Sequence, residues 1–464
     1  MPQFPARMVI VAMAVALSGG TLSSCSSDPR QDTAPTAEAD AVRTPAVASA
    51  EPSLPEPSPA EPGETDSADP DPAGATLSGW SALPADTFTA GSEPSGHFLE
   101  GSKGPFDGQP VEGFSAVHVA ADGSYLAVSD NGFGSRKKSP DFILRVHRLQ
   151  PDPRTGSVTV LGGVDLSDPD ELVPWKIWRD GGCADRGRLP DGYSCPPPDR
   201  TLTGWDFDPE AFQVAPDGTF WLGDEYGPFL LHTDATGVLL SPPVQVPGVS
   251  SPSSPTLGGS KPNLPDSKGF EGMAISPDGG SLRPMLEGAP DEDLAGGRAS
   301  DQRIYDVTVT GGVAAFSGDY LRYRRESRSH ALGDFIAVND NEFLVIERDD
   351  ASGSAAGFKR IYLVDRRDRD HDGYVDKRLL VDLLKVRNPD RLGGFADPFR
   401  FSYFTIEDVD LVDGDTIAVL NDNNYPSTGG RGDDVEDVSE IVLIDLPVPL
   451  AVDDRLLPAA SPVG

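Results

Sequence analysis

Apolar and polar positions alternate in short runs along most of the chain, most clearly at residues 208–228. The acid Glu210 precedes alternating apolar positions and a Pro-Asp-Gly turn at 216–218. A second apolar run follows and ends at Asp224 and Glu225. Alternation on both sides of an Asp-Gly turn predicts a β-hairpin. Because the open end of a hairpin lies opposite its turn, this hairpin is expected to carry acids at its open end.

Four further stretches repeat this order of acid, apolar run, turn and closing acid. Their first and closing acids are Glu112 and Asp130, Glu271 and Glu287, Asp334 and Glu347, and Glu407 and Asp422. Hairpins that recur in a chain without helical apolar periods predict an all-β fold, and irregular connections between them favour a β-propeller. The length of the predicted domain, residues 76–448, suggests six or seven blades of roughly 40–50 residues.

In a closed ring of blades, the open ends of the hairpins converge on one face. Glu112, Glu210, Glu271 and Glu407 are therefore expected at equivalent places around that face. Carboxylates gathered in this way need cations or protons to relieve their repulsion, and hard oxygen ligands indicate calcium or magnesium. The alternative is that each acid caps a strand end and accepts hydrogen bonds from backbone amides between blades.

The N-terminal residues predict export. Arg7 precedes an apolar run at 8–17 that is too short to cross a bilayer, which takes roughly 20 residues. The run leads into Leu22-Ser-Ser-Cys25, which resembles the lipobox of bacterial lipoproteins. This resemblance implies that residues 1–25 are a signal peptide and that Cys25 is lipidated. An ordinary signal peptide with an incidental cysteine is the alternative.

The predicted lipid anchor sets the expected location. Residues 26–75 are rich in Pro, Ala and Glu and cannot bury enough apolar surface to fold, so we expect a disordered tether. The protein would then be held at the outer face of the cell membrane and touch the membrane only through its anchor. Residues 449–464 are expected to form a C-terminal tail, and the protein is expected to be a monomer.

Charge and motifs exclude some functions. A formal net charge of −36 argues against binding to nucleic acid, whose phosphates would be repelled. No Gly-x-Ser-x-Gly sequence occurs, which argues against a serine esterase. Cys183 and Cys195 predict a disulfide worth roughly 3 kcal/mol in an exported protein. A metal site at these cysteines is the weaker interpretation, because no other soft ligand lies nearby in the sequence.

One segment has the carboxylate spacing of a calcium loop. Asp368, Asp370, Asp372 and Asp376 alternate around Gly373, which permits the sharp bend that lets them converge on one ion. The flanking residues alternate like strands and no glutamate closes the loop, so the segment resembles the short calcium loops of β-hairpins. We expect structural calcium here. An acidic hairpin tip without an ion is the alternative.

The acid-rich blocks also resemble a known family, the bacterial phytase-like domain described by its esterase-like activity. The blocks that carry the resemblance are Glu112-Gly-Phe-Ser115, Ser129-Asp-Asn-Gly132, Pro209-Glu-Ala-Phe212, Gly223-Asp-Glu-Tyr-Gly-Pro228, Gly269-Phe-Glu-Gly-Met273, Ile346-Glu-Arg-Asp349, Lys359-Arg-Ile-Tyr-Leu363, Ile406-Glu-Asp-Val409 and Asn421-Asp-Asn-Asn424. The resemblance runs from about residue 114 to 445 and implies an exported β-propeller that hydrolyses a phosphoester or another ester. The segment with the two cysteines and the calcium-like loop depart from the family pattern.

The first functional hypothesis is therefore a calcium-assisted hydrolase of a small ester or phosphoester. Candidate ligands or bases at the catalytic centre are Asp224, Glu225, Glu271 and Glu407. Candidate substrate-binding residues are Asp130, Asn131, Arg136, Lys137, Tyr226, Arg348 and Asn423. Further metal ligands are expected at Glu112, Glu210, Glu347 and Asp422, and in the calcium-like loop. Lactone hydrolysis is a lesser option, and the alternative class is a non-catalytic propeller that binds a ligand or partner at the cell surface.

Overall fold

The computed structural model describes residues 74–99, 104–181, 183, 188–367 and 369–458. The predicted signal peptide, Cys25, nearly all of the tether and Asp368 lie outside these residues. Within them the secondary structure is almost entirely β, with one short helix, α1 (Asp291–Ala295), and short 3-10 turns at Gly353–Ala355 and Leu392–Gly394. No helix of the described residues is long and apolar enough to span a membrane.

The strands form five four-stranded antiparallel units, named blades 1 to 5 in chain order. Blade 1 contains β2 (Phe114–Val119), β3 (Tyr125–Ser129), β4 (Arg145–Asp152) and β5 (Ser157–Asp165). Blade 2 contains β6 (Pro209–Val214), β7 (Phe220–Asp224), β8 (Phe229–Thr233) and β9 (Val244–Gln245). Blade 3 contains β10 (Phe270–Ile275), β11 (Ser281–Leu286), β12 (Asp301–Thr310) and β13 (Val313–Arg324).

The last two blades complete the ring, and blade 5 combines the first and last strands of the described residues. Blade 4 contains β14 (Ala331–Ala337), β15 (Glu342–Arg348), β16 (Lys359–Asp365) and β17 (Asp376–Asp382). Blade 5 contains β18 (Asp408–Leu411), β19 (Thr416–Leu420), β20 (Ser439–Asp445) and, as its outer strand, the first strand of the fold, β1 (Thr76–Leu83). A single bridge from Ala82 to Ser157 links blade 5 to blade 1. An N-terminal strand that completes the last blade closes the ring.

The first strands of the blades pack side by side around the ring, in the order β2, β6, β10, β14, β18 and back to β2. Five hydrophobic cores lie between neighbouring blades. In β19, Ile417 and Val419 face the core shared with blade 4, whereas Ala418 and Leu420 face the core shared with blade 1. A strand buried on both faces explains the continuous apolar runs of these segments. Truncating Leu420 to alanine would cost about 2–5 kcal/mol.

The five predicted hairpins are the first two strands of the five blades. The expected six or seven blades are not found among the described strands. That number came from the domain length, but long connections such as residues 166–208, 246–269 and 383–407 take up the extra chain. The number of hairpins, rather than the number of residues, gives the number of blades.

Two smaller predictions can be compared directly. Cys183 and Cys195 form the predicted disulfide, with their Cα atoms 5.6 Å apart. The calcium-like loop connects β16 to β17, which is the predicted hairpin setting. The residues after β20 remain in contact with the blades, because the Leu450 amide donates to the Gly414 carbonyl oxygen at 2.7 Å.

Candidate functional site

The first strand of each of blades 1 to 4 contains a β-bulge near its beginning. In β6 the pairing jumps from Pro209 to Ala211, so Glu210 is the extra residue, and in β10 Glu271 is the extra residue in the same way. A bulge re-aims one side chain out of the regular ladder, and bulges are common beside active sites. We define the bulge positions as Ser115, Glu210 and Glu271 and, by the same count along the paired second strand, as Gly333 in blade 4 and Glu407 just before the regular ladder of β18.

This register corrects one expectation. Glu112 is not equivalent to Glu210, because the bulge of β2 falls between Phe114 and Ala116 and therefore at Ser115. The expected equivalence matched the acid that begins each block, but Glu112 lies three residues before the bulge of β2 and outside the strand. Glu112 is instead fully buried, and one of its oxygens accepts a hydrogen bond from the Tyr425 amide at 3.1 Å.

A second set of equivalent residues lies at the end of the second strand of each blade. We define these strand-end positions as Asp130, Glu225, Glu287, Arg348 and Asp422. In the first three blades, the backbone amide at this position donates to the residue two places before the bulge, at 2.8–2.9 Å. The bulge and strand-end positions therefore meet at the open end of each hairpin. We call the face they share the mouth.

Three glutamates of the mouth form the blade 2–3 cluster, Glu225, Glu271 and Glu287. One carboxylate oxygen of each lies within 4.8 Å of the other two. The residues are only 4–6% exposed, and Glu225 Oε1 has no hydrogen-bond partner among the described residues. Burial, followed by the charges of the other two glutamates, raises the pKa of Glu271 well above its usual value. Burial likewise raises the pKa of Glu225, although Lys268 opposes it.

A second group, the blade 1–2 cluster, contains Asp130, Asp208 and Glu210 at the same spacing. Here neutral donors hold the carboxylates: the Asn131 side-chain amide donates to Asp208 at 2.8 Å and the Gly132 amide donates to Asp130 at 2.7 Å. Burial and the charge of Asp208 raise the pKa of Glu210 well above its usual value. Glu271 also contributes to that increase, so the two clusters influence each other electrostatically.

Lys268 is the cation closest to the blade 2–3 cluster, and its Nζ contacts Glu287 Oε2. The sequence analysis missed Lys268 and Asp208, because neither falls on the alternating pattern of the hairpins. The importance of Gly269, which follows Lys268, is evident only from the structure. A Cβ on Gly269 would lie 2.5 Å from the Glu225 backbone, so glycine lets these two segments approach closely.

Asp224, predicted as catalytic, lies next to the mouth with both oxygens engaged. They accept hydrogen bonds from the Asp208 amide at 2.9 Å and the Gly227 amide at 2.7 Å. Its side chain is fully buried, and burial raises its pKa to about 7. This geometry suits a residue that holds Asp208 and the 225–227 turn in place.

On the opposite side of the mouth, Arg348 donates to Glu407 Oε1 and to Asp350, both at 2.9 Å. Burial raises the pKa of Glu407 although Arg348 opposes it. Asp422 accepts a hydrogen bond from the Asn424 amide at 2.6 Å, and burial with the charge of Glu407 raises its pKa to about 8. The charge of Glu407 also raises the pKa of Glu225 and of Glu271.

Two deeper acids, Asp334 and Asp408, follow the bulge positions of blades 4 and 5. Both are fully buried. Both oxygens of Asp408 and one of Asp334 have no hydrogen-bond partner within the described part of the chain. Burial raises the pKa of both groups well above the usual value, and Asp334 adds to the effect on Asp408.

Glu347, predicted as a metal ligand, makes several contacts with neighbouring side chains. Glu347 binds the Tyr323 hydroxyl and His330 Nδ1, each at 2.7 Å, together with Lys377 between blades 3 and 4. Because Glu347 is paired within its strand ladder, one residue before the strand-end position, it lies among these partners rather than in the carboxylate clusters.

The remaining predicted substrate-binding residues make different contacts. Arg136 donates to the carbonyl oxygens of Trp205 and Ser253, and Lys137 is exposed. The Tyr226 hydroxyl donates to the Gly204 carbonyl oxygen at 3.2 Å. Asn423 Nδ2 donates to the Asp437 carbonyl oxygen at 3.3 Å. Of the predicted substrate-binding residues, Asp130 and Arg348 occupy strand-end positions in the mouth.

The calcium-like loop differs from the mouth. Asp370 and Asp372 are exposed, and Asp372 accepts a hydrogen bond from the Tyr374 amide at 2.8 Å. Among the described residues, no three ligand atoms of this loop come within 4.8 Å of one another. Since Asp368 lies outside these residues, calcium at this loop stays a prediction.

The fold and the mouth together define a β-propeller with clustered carboxylates at one end of its ring. The chain belongs to the phytase-like family described as "esterase-like activity of phytase", which matches residues 109–425. It is also similar to an uncharacterized secreted protein of Arthroderma benhamiae, with 23% identity over 227 residues. That match covers 40% of this chain and 42% of the relative, so the chain spans about two fifths of the relative's length.

Solved structures with a similar outline are more distant. A protein of unknown function from Dyadobacter fermentans has a TM-score of 0.35 at 11% identity, covering 80% of this chain and 99% of that chain. The PQQ-bound aldose sugar dehydrogenase of Streptomyces coelicolor has a TM-score of 0.33 at 13% identity, covering 81% and 99%. These likenesses carry no argument about activity.

Proposed function

We propose that this protein is an exported hydrolase that cleaves a phosphoester or another ester with the help of a divalent cation in the mouth. The observation that carries the proposal is the blade 2–3 cluster, in which three buried carboxylates converge and Glu225 Oε1 lacks a partner among the described residues. Membership of the phytase-like family supports the reaction class. The choice of calcium and of the blade 2–3 cluster is based on the chemistry of the residues.

The blade 2–3 cluster fits a hard divalent cation. Calcium takes six to eight oxygen ligands, and carboxylates from Glu225, Glu271 and Glu287 would supply part of that set. Without a cation, three acids that lie so close must hold protons or repel one another. The blade 1–2 cluster offers a second set of the same kind.

The residues of the mouth would have different roles in the reaction. Glu225, Glu271 and Glu287 would hold the cation, which when bound neutralises a phosphate or polarises an ester carbonyl. Glu407, which is held by Arg348, would accept the proton of the attacking water as general base. Arg348 holds Glu407 in place and contributes positive charge toward the anionic part of the substrate. Asp224 positions the cluster through its two backbone contacts.

A substrate panel tests the reaction class. Chelator-treated protein would be assayed with and without Ca²⁺ against a phosphomonoester, phytate, a carboxyl ester and a lactone. We expect hydrolysis of at least one substrate only with the metal, and loss of it in Glu225→Gln. Glu292→Gln, which removes an exposed acid at α1, is the matched control and should behave like the wild type. Hydrolysis that is unchanged in chelator would contradict metal assistance.

The near-complete burial of the mouth acids favours a second candidate, a propeller that binds a cation and a ligand without turnover. This candidate predicts that the metal-loaded protein binds Ca²⁺ but hydrolyses none of the panel. The two candidates therefore separate in the same experiment.

The predicted export rests on the N-terminal sequence and, more distantly, on the secreted relative, whereas the lipid anchor rests on the N-terminal sequence alone. Mass spectrometry of the mature N-terminus tests them. An acylated Cys25 is expected. An unmodified N-terminus at another residue would remove the anchor from the account.

A further inference from the structure

The blade 2–3 cluster already contains a cation of the protein's own. Lys268 Nζ contacts Glu287, and its charge also acts on Glu225 and Glu271. Burial opposes the charge of Lys268, but these three carboxylates outweigh it and raise the pKa of Lys268. The corresponding acids of the blade 1–2 cluster are held chiefly by the neutral donors Asn131 and Gly132.

The backbone of Lys268 is fixed, whereas the end of its side chain can move. Its backbone, two residues before β10, is held in place because its carbonyl oxygen accepts a hydrogen bond from the Gly288 amide at 3.1 Å. A Cβ on Gly288 would lie 2.6 Å from the Cβ of Lys268, so the two segments are in close contact. Its side chain is 44% exposed, whereas that of Glu287 is 5% exposed. Lysine carries a compact charge on a flexible stem, so its tip can leave the cluster while its base stays fixed.

Arg348, a cation at a strand-end position of the mouth, lacks this freedom. Its side chain is 6% exposed and bonded to both Glu407 and Asp350. The positive charge of Arg348 is therefore fixed, whereas that of Lys268 can move.

We propose that Lys268 is a built-in counter-ion of the blade 2–3 cluster that a divalent cation displaces. In the metal-free protein, Lys268 offsets part of the charge of three buried carboxylates. A cation that binds these carboxylates repels the ammonium group, and Lys268 turns toward the opening of the mouth. There it meets the anionic part of the substrate as a positioning residue. The inference rests on the proposed function only for this last step.

Calcium affinity tests the displacement without any assay of activity. Isothermal titration of chelator-treated protein with Ca²⁺ should show about tenfold tighter binding by Lys268→Met than by the wild type, because a competing charge is gone. Lys268→Arg keeps the charge and should restore weaker binding. Lys261→Met is the matched control, since Lys261 is exposed and paired with Asp291 outside the mouth, and should leave the affinity unchanged.

Inorganic phosphate then tests the second role. Calcium-loaded Lys268→Met should bind phosphate about fivefold more weakly than the wild type, and Lys268→Arg should recover most of the loss. Equal or weaker Ca²⁺ binding by Lys268→Met, or no Ca²⁺ binding by any form, would overturn the inference. If the Ca²⁺ shift is present but no ester is hydrolysed, the counter-ion stands and the hydrolase proposal falls.

Discussion

Blades 2 and 3 share one backbone plan with blade 4 at the mouth but carry different side chains there. Blades 2 and 3 place glutamate at both the bulge and the strand-end positions, whereas blade 4 places Gly333 and Arg348 there. A Cβ on Gly333 would lie 2.8 Å from the Ile406 carbonyl oxygen, so blade 4 approaches the residues before β18 too closely for a side chain at this position. The repeated backbone thus presents a cluster of acids suited to a cation at blades 2 and 3 and a fixed cation, Arg348, at blade 4.

Removing the fixed cation, Arg348, should have the largest effect, which is a loss of stability. Arg348→Met leaves Glu407 buried without its partner, and breaking a buried pair from one side costs about 3–5 kcal/mol. The free energy of unfolding from urea denaturation should fall by that amount. The double variant Arg348→Met/Glu407→Gln should recover part of it, and a single variant as stable as the wild type would show that the pair does not hold blades 4 and 5 together.

Neutralising one acid of the blade 2–3 cluster should reduce activity more than it reduces stability. Glu225→Gln keeps the shape but removes a carboxylate whose Oε1 has no partner in the described chain. We expect the metal-dependent kcat/KM to fall about a hundredfold or more, because the loss of a metal ligand should cost about as much as the loss of the base that acts with it. Circular dichroism should stay unchanged. Wild-type activity in this variant would move the reaction away from the blade 2–3 cluster.

Stability of the metal-free protein should fall as the pH rises. Asp224, with a pKa of about 7, Asp422, with a pKa of about 8, and the deeper Asp408 hold protons in the folded state that the unfolded chain releases near pH 4. Their contribution is therefore complete below pH 4 and is lost up to about pH 8. Each tenfold difference in proton affinity corresponds to about 1.4 kcal/mol.

Melting curves in chelator should show this decline between pH 4 and 8, and saturating Ca²⁺ should flatten it. A melting temperature that rises steadily through this range in chelator would contradict the raised pKa values of the mouth.

The calcium-like loop should give the smallest effect. Its carboxylates are exposed, so an ion there would stabilise only the β16–β17 connection. Asp370→Ala should lower the melting temperature in Ca²⁺ by a few degrees and leave most of the chelator sensitivity in place. If Asp370→Ala abolished the sensitivity altogether, the loop rather than the mouth would be the main calcium site.

The hairpins could be predicted from the sequence, but the register of the mouth could not. Asp-Gly turns with apolar alternation are local signals, and each of the five predicted hairpins is present. In blade 1 the bulge position holds Ser115 rather than an acid, so the sequence pattern pointed to Glu112, three residues earlier, in its place. Lys268 joins the cluster through tertiary proximity alone. The calcium-like loop shows the converse, because its spacing is distinctive although its described carboxylates do not gather.

Anomalous X-ray scattering from crystals soaked in Mn²⁺ would locate bound cations directly. The account predicts a strong peak between the carboxylates of Glu225, Glu271 and Glu287, and its loss in crystals of Glu225→Gln. A peak confined to the Asp370–Asp376 loop, or no peak in the mouth at saturating metal, would contradict a cation site in the propeller mouth.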